Sequence, residues 1–531
     1  MKSPSISNIT QAIPLYTMSR HGAAVQRIAA QVRSFHDRKQ PFRIYHGSTN
    51  STRQSTRQSD QVVDTSKLSN VIRVNKEKKT ALIEPNVRMD QLAQTTLALG
   101  LLPPVVMEFP AITAGGGFAG VAGESSSFKH GLFDSITLSI EIVLADGSIV
   151  RASRTERPDL FHGAAHTLGT LGVITLLEIE LIDAKKYVEL TYHPATSITA
   201  AIDLCQSFTK STEDIDYVDG VIYSMDRAVI MTGRLTDTPS AGAKVRRFTR
   251  AQDPWFYLHV DSVTKEQSAT VTEAVPIKDY LFRYDRGAFW VGTFAFDYFL
   301  TPFDWLSRFV LDRFLHTETM YRALHESGLD KQLIIQDFAL PFSAGQDFID
   351  FVNKTCRIFP LWLCPIKAPQ QSTIYERPFS EDMLLNVGVW GPGPKELDDF
   401  VALHQGLQQK VSDLGGLKWP YSHAYYTEEE FWKIYDREAY EQLREKYNAQ
   451  SLPTIFDKVR SDLKRPAPQQ QDGVSWYMQI KNQVWSTWPL PGFYGIWRVL
   501  VKGDYLLERK SYYEQLKSFG LLFLPDPDVQ E

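Results

Sequence analysis

The stretch of sequence that decides the fold is Thr113-Ala-Gly-Gly-Gly-Phe-Ala-Gly-Val-Ala-Gly-Glu-Ser-Ser-Ser-Phe-Lys-His-Gly131. Five glycines within nine positions allow the backbone to approach a ligand more closely than any residue with a Cβ atom would. Consecutive backbone N–H groups in such turns form concave sites for anions, and the neighbouring serine hydroxyls add hydrogen-bond donors. The loop therefore predicts a binding site for a diphosphate.

This glycine-rich loop departs from two common nucleotide-binding patterns. It is not followed by Gly-Lys-Ser/Thr, which excludes a Walker loop, and it lacks the clean helix after the glycines that the dinucleotide βαβ fingerprint requires. A flexible surface loop is the alternative interpretation. The candidate ligand-binding residues of the loop are Thr113, Ala114, Gly115, Gly116, Gly117, Gly120, Gly123, Glu124, Ser125, Ser126, Ser127 and Gly131.

Two further elements accompany the loop. A predicted strand over Phe42 to Tyr45 leads into a polar turn, and a second glycine-containing segment opens a predicted strand over Val173 to Ile182. The candidate residues of the turn are His46, Gly47, Ser48, Thr49, Asn50 and Ser51. Those of the second segment are Gly169, Thr170, Gly172, Val173 and Ile174.

Together the three elements resemble the PCMH-type FAD-binding domain of the vanillyl-alcohol-oxidase-like superfamily. Pro85-Asn-Val-Arg-Met-Asp-Gln-Leu92 and Val143-Leu-Ala-Asp-Gly147 are similar to the same domain. The resemblance implies that the turn and the loop hold the pyrophosphate of FAD, and that the last strand starts near its adenosine and isoalloxazine. Members with covalent flavin attach it to a histidine after the glycines of the turn. Thr49 takes that place here and His46 precedes the glycine, so we expect non-covalent FAD.

The resemblance narrows to the Δ24-sterol reductase (Diminuto/seladin) family. It is carried by Gly123-Glu-Ser-Ser-Ser-Phe-Lys-His-Gly-Leu-Phe133 and Glu141-Ile-Val-Leu-Ala-Asp-Gly-Ser148, and it continues through Pro276-Ile-Lys-Asp-Tyr-Leu-Phe-Arg-Tyr-Asp-Arg286 and Glu430-Phe-Trp-Lys-Ile-Tyr435. The similarity covers residues 40–465. It implies an enzyme that reduces an isolated C=C bond in a sterol or isoprenoid-like side chain, with NADPH as transient electron donor and a hydrophobic small molecule as substrate.

We expect an α+β fold in three parts. Residues 1–185 are predicted to form the two-lobed PCMH-type FAD-binding domain. Residues 186–465 are predicted to form an α+β substrate (cap) domain with an antiparallel sheet and flanking helices, and residues 466–531 a linker and a Trp-rich C-terminal tail. Residue spacing also predicts helices over 18–38 and 428–446.

Reduction of an isolated alkene sets requirements for the rest of the site. Because no carbonyl polarises such a double bond, hydride transfer needs a positioned acid in a dry site whose aromatic faces tolerate positive charge. The candidate catalytic residues are Asp285, Tyr284 and His423. An ion pair with Arg283 or Arg286 is the alternative role of Asp285, and core packing is the alternative role of the surrounding aromatic residues. No metal site is predicted.

Composition bounds the class of protein. With 531 residues, a formal net charge of −5 and 43% hydrophobic residues, the chain is typical of a soluble protein of two or three domains, and no nucleic-acid partner is expected. Three cysteines in no zinc-binding pattern favour a reducing compartment. No apolar run near the N-terminus is long enough for a signal peptide or a transmembrane span. We therefore expect an intracellular protein, either cytoplasmic or peripherally associated with the endoplasmic reticulum.

The tail and the direction of the reaction leave alternatives open. The aromatic residues of the tail fit an interfacial helix that makes peripheral membrane contact, and they also fit packing against the body or a partner subunit. These residues are Trp485, Trp488, Phe493, Tyr494 and Trp497. Because the chain shows no counterpart of the family's membrane anchor, a FAD-dependent oxidase or dehydrogenase of a specialised-metabolite pathway is the second hypothesis. A flavin-less lipid-binding scaffold is the third, and the intact glycines argue against it.

Overall fold

The computed structural model describes residues 6–47, 51, 57–265, 269–369, 379–461, 488–501 and 507–508. Its helices are α1 (Ile6–Asp37), α2 (Met89–Leu97), α3 (Ala114–Ala119), α4 (Ser127–His130), α5 (Pro158–Ala164), α6 (Ile198–Phe208), α7 (Phe256–Thr264), α8 (Ile277–Leu281), α9 (Thr293–Tyr298), α10 (Trp305–Leu311), α11 (Thr317–Ser327), α12 (Gly345–Thr355), α13 (Leu397–Asp413), α14 (Glu428–Ile434), α15 (Arg437–Lys446), α16 (Ile455–Val459) and α17 (Leu490–Val501). Its strands are β1 (Arg43–Tyr45), β2 (Arg57–Gln58), β3 (Val62–Asp64), β4 (Val71–Asn75), β5 (Thr80–Ile83), β6 (Leu101–Leu102), β7 (Thr137–Leu144), β8 (Ile149–Ser153), β9 (Gly172–Glu180), β10 (Ile182–Asp183), β11 (Tyr187–Ala195), β12 (Tyr217–Ser224), β13 (Arg227–Thr236), β14 (Lys244–Val245), β15 (Val271–Pro276), β16 (Leu333–Pro341), β17 (Leu361–Lys367), β18 (Met383–Pro392), β19 (Leu417–Lys418) and β20 (Leu507–Glu508).

The first domain is built on a five-stranded antiparallel sheet with the order β4-β5-β9-β7-β8. A tight turn joins β7 to β8, because the Asp146 side chain accepts a hydrogen bond from the Ser148 N–H at 2.8 Å. Helix α1 packs against this sheet through its buried face, which includes Val25, Ile28 and Val32. The helix predicted over 18–38 is therefore confirmed, and it begins earlier, at Ile6.

The second sheet has nine strands in the order β14-β15-β11-β13-β12-β17-β18-β16-β19. Its neighbouring strands are antiparallel except for the β14–β15 pair. Helices α6, α12 and α13 cover one face and share a hydrophobic cluster with it, to which Cys205, Phe348 and Phe400 contribute. The opposite face, with Trp362 and Cys364, belongs to the cluster that also contains the core of the first domain. The two domains therefore meet across that face.

After the second sheet the chain returns to the first domain. The Tyr440 hydroxyl in α15 donates to Thr170 Oγ1 at 2.8 Å, and the Lys446 ammonium lies 2.6 Å from the Asp159 carboxylate. These contacts show that helices inside the range predicted for the cap domain also complete the first domain. The boundaries 1–185, 186–465 and 466–531 stay a prediction.

The helix predicted over 428–446 is two helices. α14 ends at Ile434, and α15 begins only at Arg437. Between them, the Asp436 carboxylate accepts a hydrogen bond from the Ala439 N–H at 2.8 Å and caps α15. A short acidic side chain that bonds the backbone in this way favours a helix start over a helix interior, and the prediction of one continuous helix was wrong for that reason.

Within the described part of the tail, Trp488 and α17 pack against the body. The Trp488 indole N–H donates to the Tyr298 carbonyl at 2.7 Å, and the Arg498 guanidinium lies 3.0 Å from the Glu326 carboxylate. Trp485 lies outside the described residues. None of the helices in the described ranges combines the length and apolarity of a membrane span. The predicted α+β class with antiparallel sheets is confirmed.

Candidate active site between the two domains

A cavity of about 400 Å³ lies between the first domain and the second sheet. Its wall brings together ten of the predicted cofactor-binding residues, which are His46, Ser51, Thr113, Gly115, Gly116, Gly120, Gly123, Gly169, Gly172 and Ile174. The wall also includes aromatic residues of the second domain, which are Phe289, Tyr321, Trp362, Trp390, Trp419 and Tyr421. One cavity therefore joins the three predicted cofactor elements to an aromatic chamber.

The glycine-rich loop begins with a short helix, α3, that the sequence analysis did not predict. Thr113 caps it, because the Thr113 hydroxyl accepts a hydrogen bond from the Gly116 N–H at 3.2 Å. The Gly115 N–H donates to the Pro85 carbonyl at 2.7 Å, and a Cβ atom on Gly115 would stand 2.7 Å from the Pro85 side chain. Close backbone packing within the protein therefore requires glycine at position 115.

The N–H groups that are open to a ligand lie further along the loop. Val121, Ala122 and Gly123 line the cavity, and within the described residues their backbone N–H groups have no protein acceptor. Consecutive unpaired N–H groups at a cavity wall are typical of an anion-binding concavity. The loop therefore offers anion-binding groups just after α3, in the second half of the glycine-rich stretch.

The three serines of the loop are buried away from the cavity wall. The Glu124 carboxylate accepts hydrogen bonds from Ser125 at 2.8 Å and from Ser126, while the Glu124 N–H donates to Ser127 Oγ at 2.9 Å. The Ser125 carbonyl accepts from the Val218 N–H at 2.7 Å and thereby links the loop to β12. The three serines therefore hold Glu124 in place, and none of them lines the cavity.

Other predicted cofactor residues also lie off the wall. Ser48, Thr49 and Asn50 are outside the described residues. The described ones that do not line the cavity, besides Glu124 and the serines, are Gly47, Ala114, Gly117, Gly131, Thr170 and Val173. Thr170 is engaged elsewhere, because its side chain accepts the hydrogen bond from Tyr440.

Two basic side chains that the sequence analysis did not single out also line the cavity. They are Arg43, in β1, and Lys458, in α16. The Lys458 ammonium donates to the Leu168 carbonyl at 2.7 Å, which places it beside Gly169. Two positive charges near the glycine-containing segments favour an anionic ligand there. No local pattern could reveal this pair, because more than 400 residues separate its members in sequence.

Asp285, predicted as a proton donor, does not line the cavity. Its carboxylate lies 2.6 Å from His316 Nδ1 and accepts a hydrogen bond from the Thr317 N–H at 3.1 Å, at the start of α11. Its partners are thus neither Arg283 nor Arg286, the ion-pair alternatives that the sequence suggested. Arg283 is bound to Asp219 instead. In the structure Asp285 anchors the first turn of a helix.

Tyr284 and His423 also lie away from the cavity wall. The Tyr284 hydroxyl donates to Asp219 at 2.8 Å, and its ring stacks on Phe289 with 3.8 Å between centroids, so Tyr284 supports the wall from behind. His423 Nε2 lies 3.6 Å from the Asp330 carboxylate. None of the three predicted catalytic residues therefore lines the cavity.

The cavity contains a carboxyl group that the sequence analysis missed, Glu108. Glu108 is only 6% exposed, and within the described residues its Oε1 atom has no hydrogen-bond partner. Burial raises the pKa of Glu108 well above its usual range, and the nearby charge of Glu124 raises it further. Glu108 therefore keeps its proton at a pH where an exposed glutamate has lost it, as a general acid must.

A second carboxyl group on the wall, Asp337, is held differently. It accepts hydrogen bonds from the Asn386 amide at 2.9 Å, from the Trp390 indole N–H at 3.0 Å and from the Tyr421 hydroxyl. Burial raises the pKa of Asp337, while these donors favour its charged form. Asp337 thereby orients Trp390 and Tyr421, two aromatic residues of the wall.

One signal in the sequence could have revealed both carboxyl groups. Each is an acidic residue inside an apolar run, Val105-Val-Met-Glu-Phe109 for Glu108 and Leu333-Ile-Ile-Gln-Asp-Phe-Ala-Leu340 for Asp337. An acidic side chain in such a run is buried with its neighbours, and a buried carboxyl must be paired, protonated or functional.

Comparison with known proteins decides the family. A family model described as an FAD binding domain matches residues 23–153. The Delta(24)-sterol reductase of Homo sapiens is 31% identical over 404 residues, which cover 74% of this chain and 76% of that protein. The chain belongs to the Delta(24)-sterol reductase family. The Delta(24)-sterol reductase of Pisum sativum is 30% identical over 73% of this chain and 74% of its own. A Delta(24)-sterol reductase homolog of Caenorhabditis elegans is 27% identical over 75% of this chain and 78% of its own.

The residues of this Delta(24)-sterol reductase family member fit FAD. The unpaired N–H groups of 121–123, together with Arg43 and Lys458, suit its diphosphate, and the aromatic chamber suits a planar ring. Gly116 lines the cavity, and a Cβ atom built on it would meet only the Thr113 hydroxyl within 4 Å. Any longer side chain at position 116 would therefore extend into cavity space.

Proposed function

We propose that this chain is a FAD-dependent ene-reductase that reduces an isolated C=C bond in a sterol or isoprenoid-like side chain, with NADPH as electron donor. The observation that carries the proposal is the single cavity that joins the cofactor elements of the first domain to aromatic residues of the second. The names of its relatives, Delta(24)-sterol reductases, support the same reaction. Bound FAD, once reduced by NADPH, would supply the hydride.

The proton is assigned to Glu108. Its buried carboxyl can protonate the less substituted carbon of the alkene, which leaves developing positive charge on the tertiary carbon that takes the hydride. The ring faces of Phe289, Trp362 and Trp390 line the same cavity and can stabilise that charge. The carboxylate left on Glu108 regains its proton from water before the next turnover.

FAD is proposed to bind without a covalent bond. Support comes from the sequence, which places Thr49 where the attaching histidine of covalent members would stand. NADPH is proposed to reach the flavin transiently, because the two sheets are already assigned to the flavin and to the substrate. The second candidate function is the reverse redox direction, in which the flavin oxidises a specialised metabolite.

We also propose that the protein is intracellular and rests peripherally on the endoplasmic reticulum membrane. Support comes from large apolar side chains on α10 and α17 that face solvent. Trp305 is 54% exposed and Leu306 is 60% exposed on α10, and Trp497 and Leu500 are each 52% exposed on α17. Exposed tryptophan and leucine on surface helices are typical of proteins that lie in the membrane interface.

The decisive experiment has two stages. The visible spectrum of the purified protein is recorded first, and the absorption band of oxidised flavin is expected; a colourless protein would exclude both enzyme hypotheses and favour the scaffold. The flavin is then mixed anaerobically with NADPH, followed by a sterol with a trisubstituted side-chain alkene. Bleaching by NADPH and reoxidation by the alkene are expected. A flavin that is reduced only by an alcohol or a saturated compound, and reoxidised by oxygen, would establish the oxidase instead.

A further inference from the structure

A second cavity, of about 430 Å³, lies beside the first. Its wall is formed by α9, α11, α17 and the start of β16, and no described residue that lines it carries a charge. A ligand placed there would meet almost only aliphatic and aromatic carbon. Such a wall offers no partner to a charged group and favours a hydrocarbon body.

Two side chains belong to the walls of both cavities, Tyr321 and Trp390. Trp390 is fixed in place, since its indole N–H donates to Asp337 and its carbonyl accepts from the Trp290 indole at 2.8 Å. The edge of the Trp390 ring also meets the Phe289 ring, with centroids 4.4 Å apart. The two cavities are therefore adjacent, with the rings of Tyr321 and Trp390 between them, and Glu108 lies on the wall of the first.

The outer wall of the second cavity is made by the tail helix α17. A Cβ atom on Gly495 would stand 2.7 Å from the Ala323 carbonyl, so only glycine lets α17 approach α11 this closely. The ion pair of Arg498 with Glu326 fastens the same two helices. Ile496 and Val499 of the same helix line the cavity.

We propose that the second cavity holds the uncharged apolar body of the substrate and that α17 sets which bodies fit. This inference rests on the proposed function, because it assumes that the alkene end of the same molecule lies in the flavin cavity. Helix α17 lies within residues 466–531, the range predicted as a linker and a Trp-rich tail.

The test introduces a larger side chain from α17 into the second cavity. It measures sterol binding separately from the reduction of the alkene. Ile496→Trp places a larger ring in the cavity, and Val501→Trp, at an exposed position of the same helix, is the matched control. The probe is a radiolabelled saturated sterol, which has no double bond to reduce, bound at equilibrium to the FAD-loaded enzyme. Ile496→Trp is expected to raise its Kd at least about tenfold, because overpacking leaves no room for the ring system, and Val501→Trp is expected to leave the Kd unchanged within about twofold.

A second variant distinguishes a filled cavity from a misfolded protein. Ala295→Leu fills the same cavity from α9, and flavin content is measured on every variant as a check on the fold. Equal sterol affinity in wild type, Ile496→Trp and Ala295→Leu would overturn the proposal. Ile496→Ala tests selection directly: it is expected to raise kcat/KM for a sterol with an added alkyl group relative to the parent sterol, and an unchanged ratio would show that α17 does not select.

The outcomes separate this inference from the proposed function. If wild type binds the saturated sterol and Ile496→Trp does not, but no alkene reoxidises the reduced flavin, the cavity assignment stands and the reductase proposal fails. If alkene reduction proceeds with the same KM in wild type and Ile496→Trp, the reductase stands and the substrate body lies elsewhere.

Discussion

The Arg283 guanidinium lies 2.8 Å from the Asp219 carboxylate, and both side chains are only 1% exposed. Arg283 also donates to Ser125 Oγ at 3.3 Å, which joins this ion pair to the glycine-rich loop. The same Asp219 oxygen accepts hydrogen bonds from Tyr284 and from the Trp362 indole. Trp362 lines the flavin cavity. The pair therefore supports that cavity from behind, at the contact between the two domains.

Asp219→Asn is expected to destabilise the protein strongly. The change leaves the Arg283 charge buried without its partner, and loss of one member of a buried ion pair costs about 3–5 kcal/mol. The free energy of unfolding, measured in urea, would show it. The matched control is Glu429→Gln, which breaks an exposed ion pair with Lys433 and should have no measurable effect. Similar stability in both variants would contradict a supporting role for the buried pair.

Glu108→Gln is expected to separate the two half-reactions. Flavin reduction by NADPH should keep its wild-type rate, while reoxidation by the alkene should slow by about 100-fold or more, because the amide cannot donate the proton. Rapid-mixing absorbance at the flavin band measures both steps. Asp285→Asn is the comparison, since the Asp285 carboxylate binds the start of α11 outside the cavity. Fast reoxidation in Glu108→Gln with slow reoxidation in Asp285→Asn would return the proton donor to Asp285.

The pH dependence of reoxidation should follow the same carboxyl. Burial raises the pKa of Glu108, so the folded protein favours the protonated, active form. The rate is therefore expected to be highest below the raised pKa and to fall as the pH rises through it. For the same reason this group's contribution to the free energy of unfolding decreases as the pH rises from the usual glutamate range. A rate that increases with pH would contradict the assignment.

Gly116→Glu is expected to abolish FAD retention. The added side chain would enter the cavity and bring a negative charge toward the diphosphate. The ratio of flavin to protein absorbance after gel filtration measures the effect. Gly406→Glu, in α13, is the control, because nothing lies within 4 Å of the position its Cβ would take. Full flavin content in Gly116→Glu would mean that the diphosphate lies elsewhere.

His21 is expected to make stability depend on pH above neutrality. Burial alone would lower its pKa, but contacts with Glu141 and Glu84 outweigh burial and raise it to about 9. The unfolded value is about 6.5, so the stabilisation is complete below that pH and is lost as the pH rises through 9. After allowance for solvent screening we expect a loss of about 1–2 kcal/mol.

The difference between wild type and His21→Gln isolates this effect. His316, whose pKa the Asp285 and Asp312 carboxylates also raise to about 9, is present in both proteins. Urea unfolding at pH values across this window should give a free-energy difference that shrinks as the pH rises. A difference that stays constant would show that His21 does not change its charge there.

The sequence predicted what is local and missed what forms only on folding. The glycine-rich loop and α1 depend on residues close together in the chain, and their patterns are specific. Glu108 and Asp337 become site residues only because the second sheet packs on the first domain. The serines at 125–127 show the converse: a hydroxyl-rich pattern suggests a phosphate site, but tertiary packing gives those hydroxyls to Glu124.

The return of α15 and α16 onto the first domain has a consequence for biosynthesis. Lys458 reaches Gly169 across 289 positions, so one of the two basic groups at the flavin cavity is among the last parts of the body to leave the ribosome. The flavin site of the nascent first domain therefore stays incomplete until the whole nine-stranded sheet has been translated. FAD capture is thus expected to be a late, post-translational event, and a fragment that ends at residue 185 should emerge without a competent flavin site.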